Sequence, residues 1–446
     1  MVTGSNFLLE TPAGGRILID CGLVQGERVS LPINHEPFPY DVASIKALII
    51  THAHLDHVGR IPKLVKDGFV GEIYSTPQTR ELAELVLTDA VGILKEEARR
   101  EGATPVYTEE DIQPVFRSWK TFGYHEAFEP TSGTKVMFKD AGHILGSSMV
   151  ELMLNNPDGK SLKLVFSGDL GNSPAPLLRD TEPLGEVDYL IMESTYGDRN
   201  HEARSDRRAT FERIVKESLG RGGTLIIPAF SIDRTQVLLY ELNNMVESGK
   251  LPRVPVLVDS PMAIKATQIY SQNSELFNDA IRAQISHGDD IFRFPGVEYT
   301  ESQGDSLAIE HMKGAKIILA GSGMSVGGRV LRHEERFLPD PINTLLLVGY
   351  QAPGSLGREL AEGARKVSIG GRTIHIKAKI EQLYGYSAHK DADHLVEFAA
   401  TAAKPPKQIF LVHGEPGAAM NLAQRLNDEL RANAVVPLAG KWYELE

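Results

Sequence analysis

The sequence has one cysteine, Cys21, so no internal disulfide can form, and the chain fits a reducing cytoplasm. Cys21 itself reads as a small buried residue. No apolar run approaches the ~20 residues that a membrane-spanning helix needs. The N-terminus lacks the basic and apolar regions of a signal peptide. An excess of basic charge is missing too: the net charge is −12, which at first argues against a polyanionic partner. The imbalance is uneven, however. Residues 198–372 carry as many Lys and Arg as Asp and Glu, so the whole negative excess lies outside them. Several of those outer carboxylates stand where a divalent cation would offset them, and acidity therefore does not exclude a polyanionic substrate. No repeat or low-complexity tract is visible. Aromatic and basic residues do not interleave as in single-strand-binding surfaces, so sequence-specific base reading is not supported. What remains is a soluble globular composition, 42% apolar and 24% charged, in 446 residues. That length implies about two or three domains.

The densest chemistry is Thr51-His52-Ala53-His54-Leu55-Asp56-His57, directly after the apolar run Ile45–Ile50. On an extended strand tip His52 and His54 point the same way. Asp56 and His57 follow as a helix begins and can face a second ion, an ordering that suits two metals ~3.5–4 Å apart. Imidazole and carboxylate are the ligands zinc takes. Other metal- or proton-competent residues also follow apolar runs: Asp20, Asp169, Glu193 and His413. Side chains at strand ends converge on one sheet edge. A hairpin is expected over Val2–Glu10 and Arg16–Ile19, and helices over Val58–Lys66 and Thr79–Arg100. From about residue 199 the rhythm changes. Strands at Thr224–Ile227, Val254–Val258, Lys316–Ala320 and Thr344–Val348 alternate with helices at Arg234–Glu247, Gly328–Arg336 and Arg358–Glu362, which predicts a parallel α/β insert. After strand Thr373–Ala378 come a Ser387-Ala388-His389 turn, a helix near Asp391–Ala402, the strand Gln408–Val412 and a last helix, Gly417–Arg431.

The His-x-His-x-Asp-His motif resembles the signature of the metallo-β-lactamase superfamily. Asp20, His143 in Gly142-His143-Ile144-Leu145-Gly146-Ser147, and Asp169 in Ser167-Gly168-Asp169-Leu170-Gly171 match its other motifs in order. The resemblance implies one metal held by His52, His54 and His143 and a second by Asp56 and His57. Asp169 would lie between them, and Asp20 behind the ligands, orienting one. Glu193-Ser194-Thr195-Tyr196-Gly197-Asp198, Gly385-Tyr386-Ser387-Ala388-His389 and Val412-His413-Gly414-Glu415 look like the three extra motifs of the β-CASP nucleases. The closest branch resembles bacterial and archaeal relatives of the endonuclease subunit that cleaves mRNA 3′ ends. It implies that His413 completes the second metal's ligands and that His389 is the general acid, oriented by Glu193. A histidine at position 413 is the RNA-associated form of that motif. The remaining histidines, His35, His125, His201, His287, His311, His333, His375 and His394, have no ligand-like spacing.

Three Gly- or Ser-bearing loops in the insert stand at strand-to-helix junctions, where backbone N–H groups bind anions. They nominate Ser231, Arg234, Ser322, Gly323, Arg329, Ser355 and Arg358 as RNA contacts. The expectation is an α/β protein: an αββα metallo-β-lactamase sandwich, residues 1–198 and 378–446, with a parallel α/β β-CASP domain inserted at 199–377. Two zinc ions, or manganese in their place, would activate water for hydrolysis of single-stranded RNA, with Asp56, Asp169, Glu193 and His389 as the catalytic set. Endonucleolytic cleavage is expected; exonucleolytic activity and a homodimer stay open. The alternatives are a small-molecule thioester or lactam hydrolase of the same superfamily and a non-catalytic RNA-processing subunit. Family members usually have one more strand before residue 2, and the ribonuclease J branch has a further C-terminal domain. Strong 5′-exonuclease specialisation is therefore not expected.

Overall fold

The computed structural model describes residues 3–26, 32–155, 159–202 and 204–446. Val2, where the first expected strand begins, lies outside them. The chain divides into two compact units. One combines residues up to Asn200 with His389–Glu446, and the other is His201–Ala388.

The first unit is a sandwich of two sheets. Five strands run in the order Phe7–Glu10, Arg16–Ile19, Ala47–Ile49, Glu72–Ser75 and Trp119–Thr121. The first pair is the expected antiparallel hairpin and the others pair in parallel. The second sheet has seven strands, from Ala434–Val435 at one edge through Gln408–Val412, Tyr189–Glu193, Ser161–Phe166, Ser148–Asn155 and Thr134–Asp140 to Ala127–Thr131. Alternation along the strands builds the core. Ile17, Ile19 and Ile49 meet Leu164, Phe166, Ile191 and Phe410 between the sheets. On the outer face Val165, Leu190, Met192, Ile409 and Leu411 pack on helices Ala392–Ala400 and Pro416–Leu430 through Leu395, Phe398, Leu422 and Leu426. Parallel strands buried on both faces read as continuous apolar runs, which is why Tyr189–Glu193 and Gln408–Val412 are so apolar. The expected helix at 58–66 is two short ones, Leu55–Val58 and Ile61–Lys66. The long helix Pro77–Glu101 starts at Thr76, whose Oγ1 accepts from Thr79 N. The Thr76 and Thr79 hydroxyls also donate to Gly146 O, which pins the turn carrying His143.

The second unit has a six-stranded, all-parallel sheet in the order Val297–Tyr299, Val256–Val258, Lys316–Ala320, Thr224–Pro228, Thr344–Val348 and Lys379–Leu383. Ile226, Ile318, Leu345 and Leu347 form its core with Val330, Phe337 and Leu360 from the helices. The return from the insert differs from the expected 377/378. Lys379–Leu383 completes this sheet by pairing with Thr344–Val348, so the chain leaves the unit only at Ala388. The strand expected over 373–378 is Arg372–His375, half of a small hairpin with Lys366–Ile369.

Candidate metal centre

Most of the residues nominated from the sequence stand just beyond the ends of strands of the sandwich unit, while Asp56 and His57 lie in helix Leu55–Val58. Strand Arg16–Ile19 ends at Asp20, Ala47–Ile49 leads to His52, Thr134–Asp140 to His143, Ser161–Phe166 to Asp169, and Gln408–Val412 to His413. Two of these tips adopt left-handed backbone, Asp20 at φ 58° and His413 at φ 51°. Non-glycine residues there carry strain of about 1–3 kcal/mol and cluster at functional sites.

The side chains form two facing groups. His52, His54, His143 and Asp169 present ligand atoms within 4.8 Å of one another, as do Asp56, His57 and His413. Asp169 joins the two groups. Its Oδ2 lies 3.3 Å from His52 Nε2 and 3.5 Å from His143 Nε2, while Oδ1 lies 3.4 Å from His57 Nε2 and 3.6 Å from His413 Nε2. His413 Nε2 is 3.7 Å from Asp56 Oδ2.

Asp20 stands behind His57 and Thr51. Its carboxylate accepts from His57 Nδ1 at 2.7 Å, from Thr51 N at 2.8 Å and from Thr51 Oγ1 at 2.8 Å. This fixes the His57 tautomer and leaves Nε2 facing Asp169. Sequence reading missed Thr51 and Ser5. The Thr51 hydroxyl is also 3.1 Å from His52 Nδ1, and Ser5 Oγ is 3.0 Å from His413 Nδ1. Thr51 adjoins the motif and could have been nominated from its place; Ser5 carries no local signal.

The residues fit a divalent cation. His57 Nε2 and Asp169 Oδ1 are buried, and among the described residues neither has a hydrogen-bond partner. Leaving such atoms unsatisfied costs about 1–3 kcal/mol each, and a cation held between them removes that cost. Burial lowers the pKa values of His52 and His143 well below the ordinary imidazole range, and that of His54 to about 4. Neutral imidazoles are the form that binds metal. Burial also opposes charge on His57, but Asp169 and Asp20 outweigh it and hold its pKa well above the ordinary value. That pair of carboxylates therefore draws positive charge to the point where the two groups meet.

Beside the ligands stands a second constellation, with Asp169, Glu193 and His389 close enough to share one ion. Glu193 ends strand Tyr189–Glu193 and is fully buried. Its carboxylate accepts from His389 Nδ1 at 3.1 and 3.2 Å and from Leu170 N at 2.6 Å. His389 keeps 19% of its side chain exposed. Burial would lower its pKa, but Glu193 reverses this and raises it to about 9. The arrangement is an imidazole whose Nδ1 is anchored on the buried Glu193 carboxylate, which favours its protonated form.

Three family models match in chain order: the metallo-β-lactamase superfamily over residues 2–132, the β-CASP domain over 235–360, and the Zn-dependent metallo-hydrolase RNA specificity domain over 373–437. A ribonuclease of Thermus thermophilus is 36% identical over 95% of this chain and 93% of its own length. The chain belongs to the β-CASP family of the metallo-β-lactamase superfamily. An RNase J-like protein of Methanocaldococcus jannaschii is 35% identical over 96% of the chain and 93% of its own length. The transcription termination factor FttA of Methanosarcina mazei is 32% identical over 96% of the chain and 67% of its own length.

In the β-CASP unit the nominated RNA contacts fare unevenly. Ser231 Oγ lies 3.2 Å from Ser260 Oγ, and a Cβ on Gly321 would stand 3.4 Å from the first and 3.5 Å from the second. Three strand tips meet there. Gly323 O accepts from Gln351 Nε2 at 3.1 Å, and Gly357 N donates to Met324 O, so the third loop packs on the second. Other nominees are occupied. Arg329 donates to Asp259 Oδ1, Thr300 O and Glu301 O. Ser322 Oγ accepts from Val326 N and Gly327 N, Ser355 caps helix Leu356–Ala361, Arg358 Nε bonds Glu362, and Arg234 is buried. These side chains hold the loops, and Ser231 with its neighbour Ser260 is the pair still grouped at the sheet edge.

Proposed function

We propose that this chain is a metal-dependent ribonuclease that hydrolyses single-stranded RNA, cutting endonucleolytically. The observation that carries this reading is the anchored His389–Glu193 pair set at the same strand tips as the metal ligands. His52, His54 and His143 would hold one zinc ion, and Asp56, His57 and His413 the other, with Asp169 shared; manganese is the substitute. Bound there, the ions would supply Lewis acidity and a water nucleophile usable at neutral pH. The protein's own part is orientation and proton transfer. Asp20 and Ser5 aim His57 and His413, and the Asp20–Thr51 bonds fix the tip that carries His52. Glu193 holds the Nδ1–H of His389, so the proton on Nε2 goes to the departing 3′ oxygen. With water as nucleophile the products carry 5′-phosphate and 3′-hydroxyl ends. Relatives named as a ribonuclease and as RNase J-like support the RNA assignment over a thioester or lactam substrate. The site's complete ligand set speaks against a non-catalytic subunit.

The test is end-labelled single-stranded RNA with and without chelator, beside a thioester panel. Cleavage that stops with chelator and returns with zinc or manganese is expected. Cleavage unaffected by metal removal, or turnover of thioesters alone, would overturn the reading. In this reading RNA phosphates would bind at the Ser231–Ser260–Gly321 edge, so Ser231→Ala should raise KM about 3- to 10-fold with kcat unchanged, as loss of one hydrogen bond predicts. An unchanged KM would take this edge off the RNA path. A homodimer in the cytoplasm belongs to the same reading, and sedimentation of the purified protein decides the assembly.

A further inference from the structure

Lys390 follows the proposed general acid and ought to be a solvated charge on a turn. It is 4% exposed. Its ammonium donates to Gly171 O at 2.8 Å and to Ser173 Oγ at 2.8 Å, and its backbone N donates to Leu170 O at 2.9 Å. Both acceptors of the ammonium are neutral, and no carboxylate lies within ion-pair distance among the described residues. A buried ammonium held this way is expensive, and an apolar side chain could fill the same volume.

What the three bonds connect explains why the charge is there. They fasten the His389 turn to the segment just after Asp169. That segment is fixed on its other side as well. Leu170 N donates to Glu193 Oε1, and Gly171 N donates to Ala141 O. Gly171 also lies flush on the His143 turn: a Cβ there would stand 1.9 Å from Gly142 O. A bridge between Gly171 and His389 closes the arrangement. Residues 170–173 therefore touch Glu193, the His143 turn and the His389 turn together, and the Lys390 side chain reaches across from the last of these.

We propose that Lys390 is a positioning residue that sets where the His389–Glu193 pair stands relative to the Asp169-centred ligands. It acts through His389 and touches no reacting atom. The inference rests on the ribonuclease reading for its assay and on the Lys390 bonds for its substance.

Lys390→Met keeps the length of the side chain and removes the donors. Ser173→Ala removes one acceptor and leaves the ammonium in place. Two substrates separate positioning from stability: ordinary RNA, and RNA with a bridging 3′ sulfur at the scissile bond. Sulfur leaves as a thiolate and needs no proton, so a displaced general acid matters little there. On ordinary RNA, Lys390→Met should lose about 10- to 100-fold in kcat, the scale of a misplacement near 1 Å, with KM and metal content unchanged. Ser173→Ala should lose a few-fold. On the sulfur-bridged RNA both should come within about threefold of wild type, and Lys390→Arg should recover much of the loss on ordinary RNA. Histidine-ring NMR of the metal-free protein gives a readout without turnover. The Nδ1–H resonance of His389 should shift or broaden in Lys390→Met while the protein stays folded. Equal losses on both substrates, or an unchanged His389 resonance with unchanged kcat, would overturn the inference while leaving the ribonuclease reading standing. Should Lys390→Met fail to fold, the Ser173→Ala comparison decides alone. A wild type that cleaves neither RNA would remove both.

Discussion

Asp169→Asn is expected to lower kcat on single-stranded RNA by about 10³-fold or more, on the scale of losing a preorganised electrostatic partner together with a metal ligand. The geometry gives the reason. The Asp169 carboxylate faces both groups, with one oxygen toward His52 and His143 and the other toward His57 and His413. Asparagine keeps the shape but removes the negative charge and turns one acceptor into a donor. An amide nitrogen facing imidazole nitrogens cannot ligate, so the metal content should fall below two ions per chain. The fold should survive, because Asp169 lies at a strand tip outside the apolar core between the sheets. Metal analysis, circular dichroism and kcat are the three measurements. Wild-type metal content together with wild-type kcat would show that Asp169 is not a shared ligand.

Much of this site was legible because its chemistry is carried by strand ends. A run such as Leu190-Ile191-Met192 ending in Glu193 announces both a buried strand and a polar tip, and tips of one sheet converge whatever the loops do. His52 through His57 could be read locally, and the distant His413 by its place after Gln408–Val412. What stayed hidden depends on which segments become neighbours. Arg329 opens a helix after a glycine pair and was nominated for phosphate, yet Asp259, 70 residues away, takes its guanidinium. Both residues are plain in the sequence, but their pairing exists only once strand Val256–Val258 and helix Val330–Phe337 lie side by side. His333 is buried on the same aspartate. Lys390 was unreadable for a similar reason, since its acceptors lie 217 and 219 residues away. The expected boundary at 377/378 fell short because no strand was expected at Lys379–Leu383, where Lys379, Glu381 and Gln382 interrupt the apolar residues. That segment's pairing with Thr344–Val348 decides otherwise. Helix Arg204–Gly220 went unremarked beneath its charges, although Phe211, Ile214, Val215 and Leu219 are buried at helical spacing.

His389→Ala is expected to behave differently from Asp169→Asn, and the contrast tests the division of labour. His389 bonds to Glu193 and is the more exposed member of the pair, 19% against none. Removing it leaves both ligand groups intact, so the metal content should hold and KM should change little. The rate should fall about 10²- to 10⁴-fold, the usual worth of a positioned general acid. Glu193→Gln keeps an oxygen for Leu170 N but weakens the grip on His389 Nδ1, so its loss should be smaller. The double variant then discriminates. If Glu193 acts only through His389, the pair is one unit, and the double variant should be no slower than His389→Ala alone. Additive losses would mean that Glu193 has a separate task at the metal ligands, which its place within 4.8 Å of Asp169 would allow. A His389→Ala protein within about threefold of the wild-type kcat would move the proton donor elsewhere and leave the Glu193–His389 pair as a structural clasp on the turn.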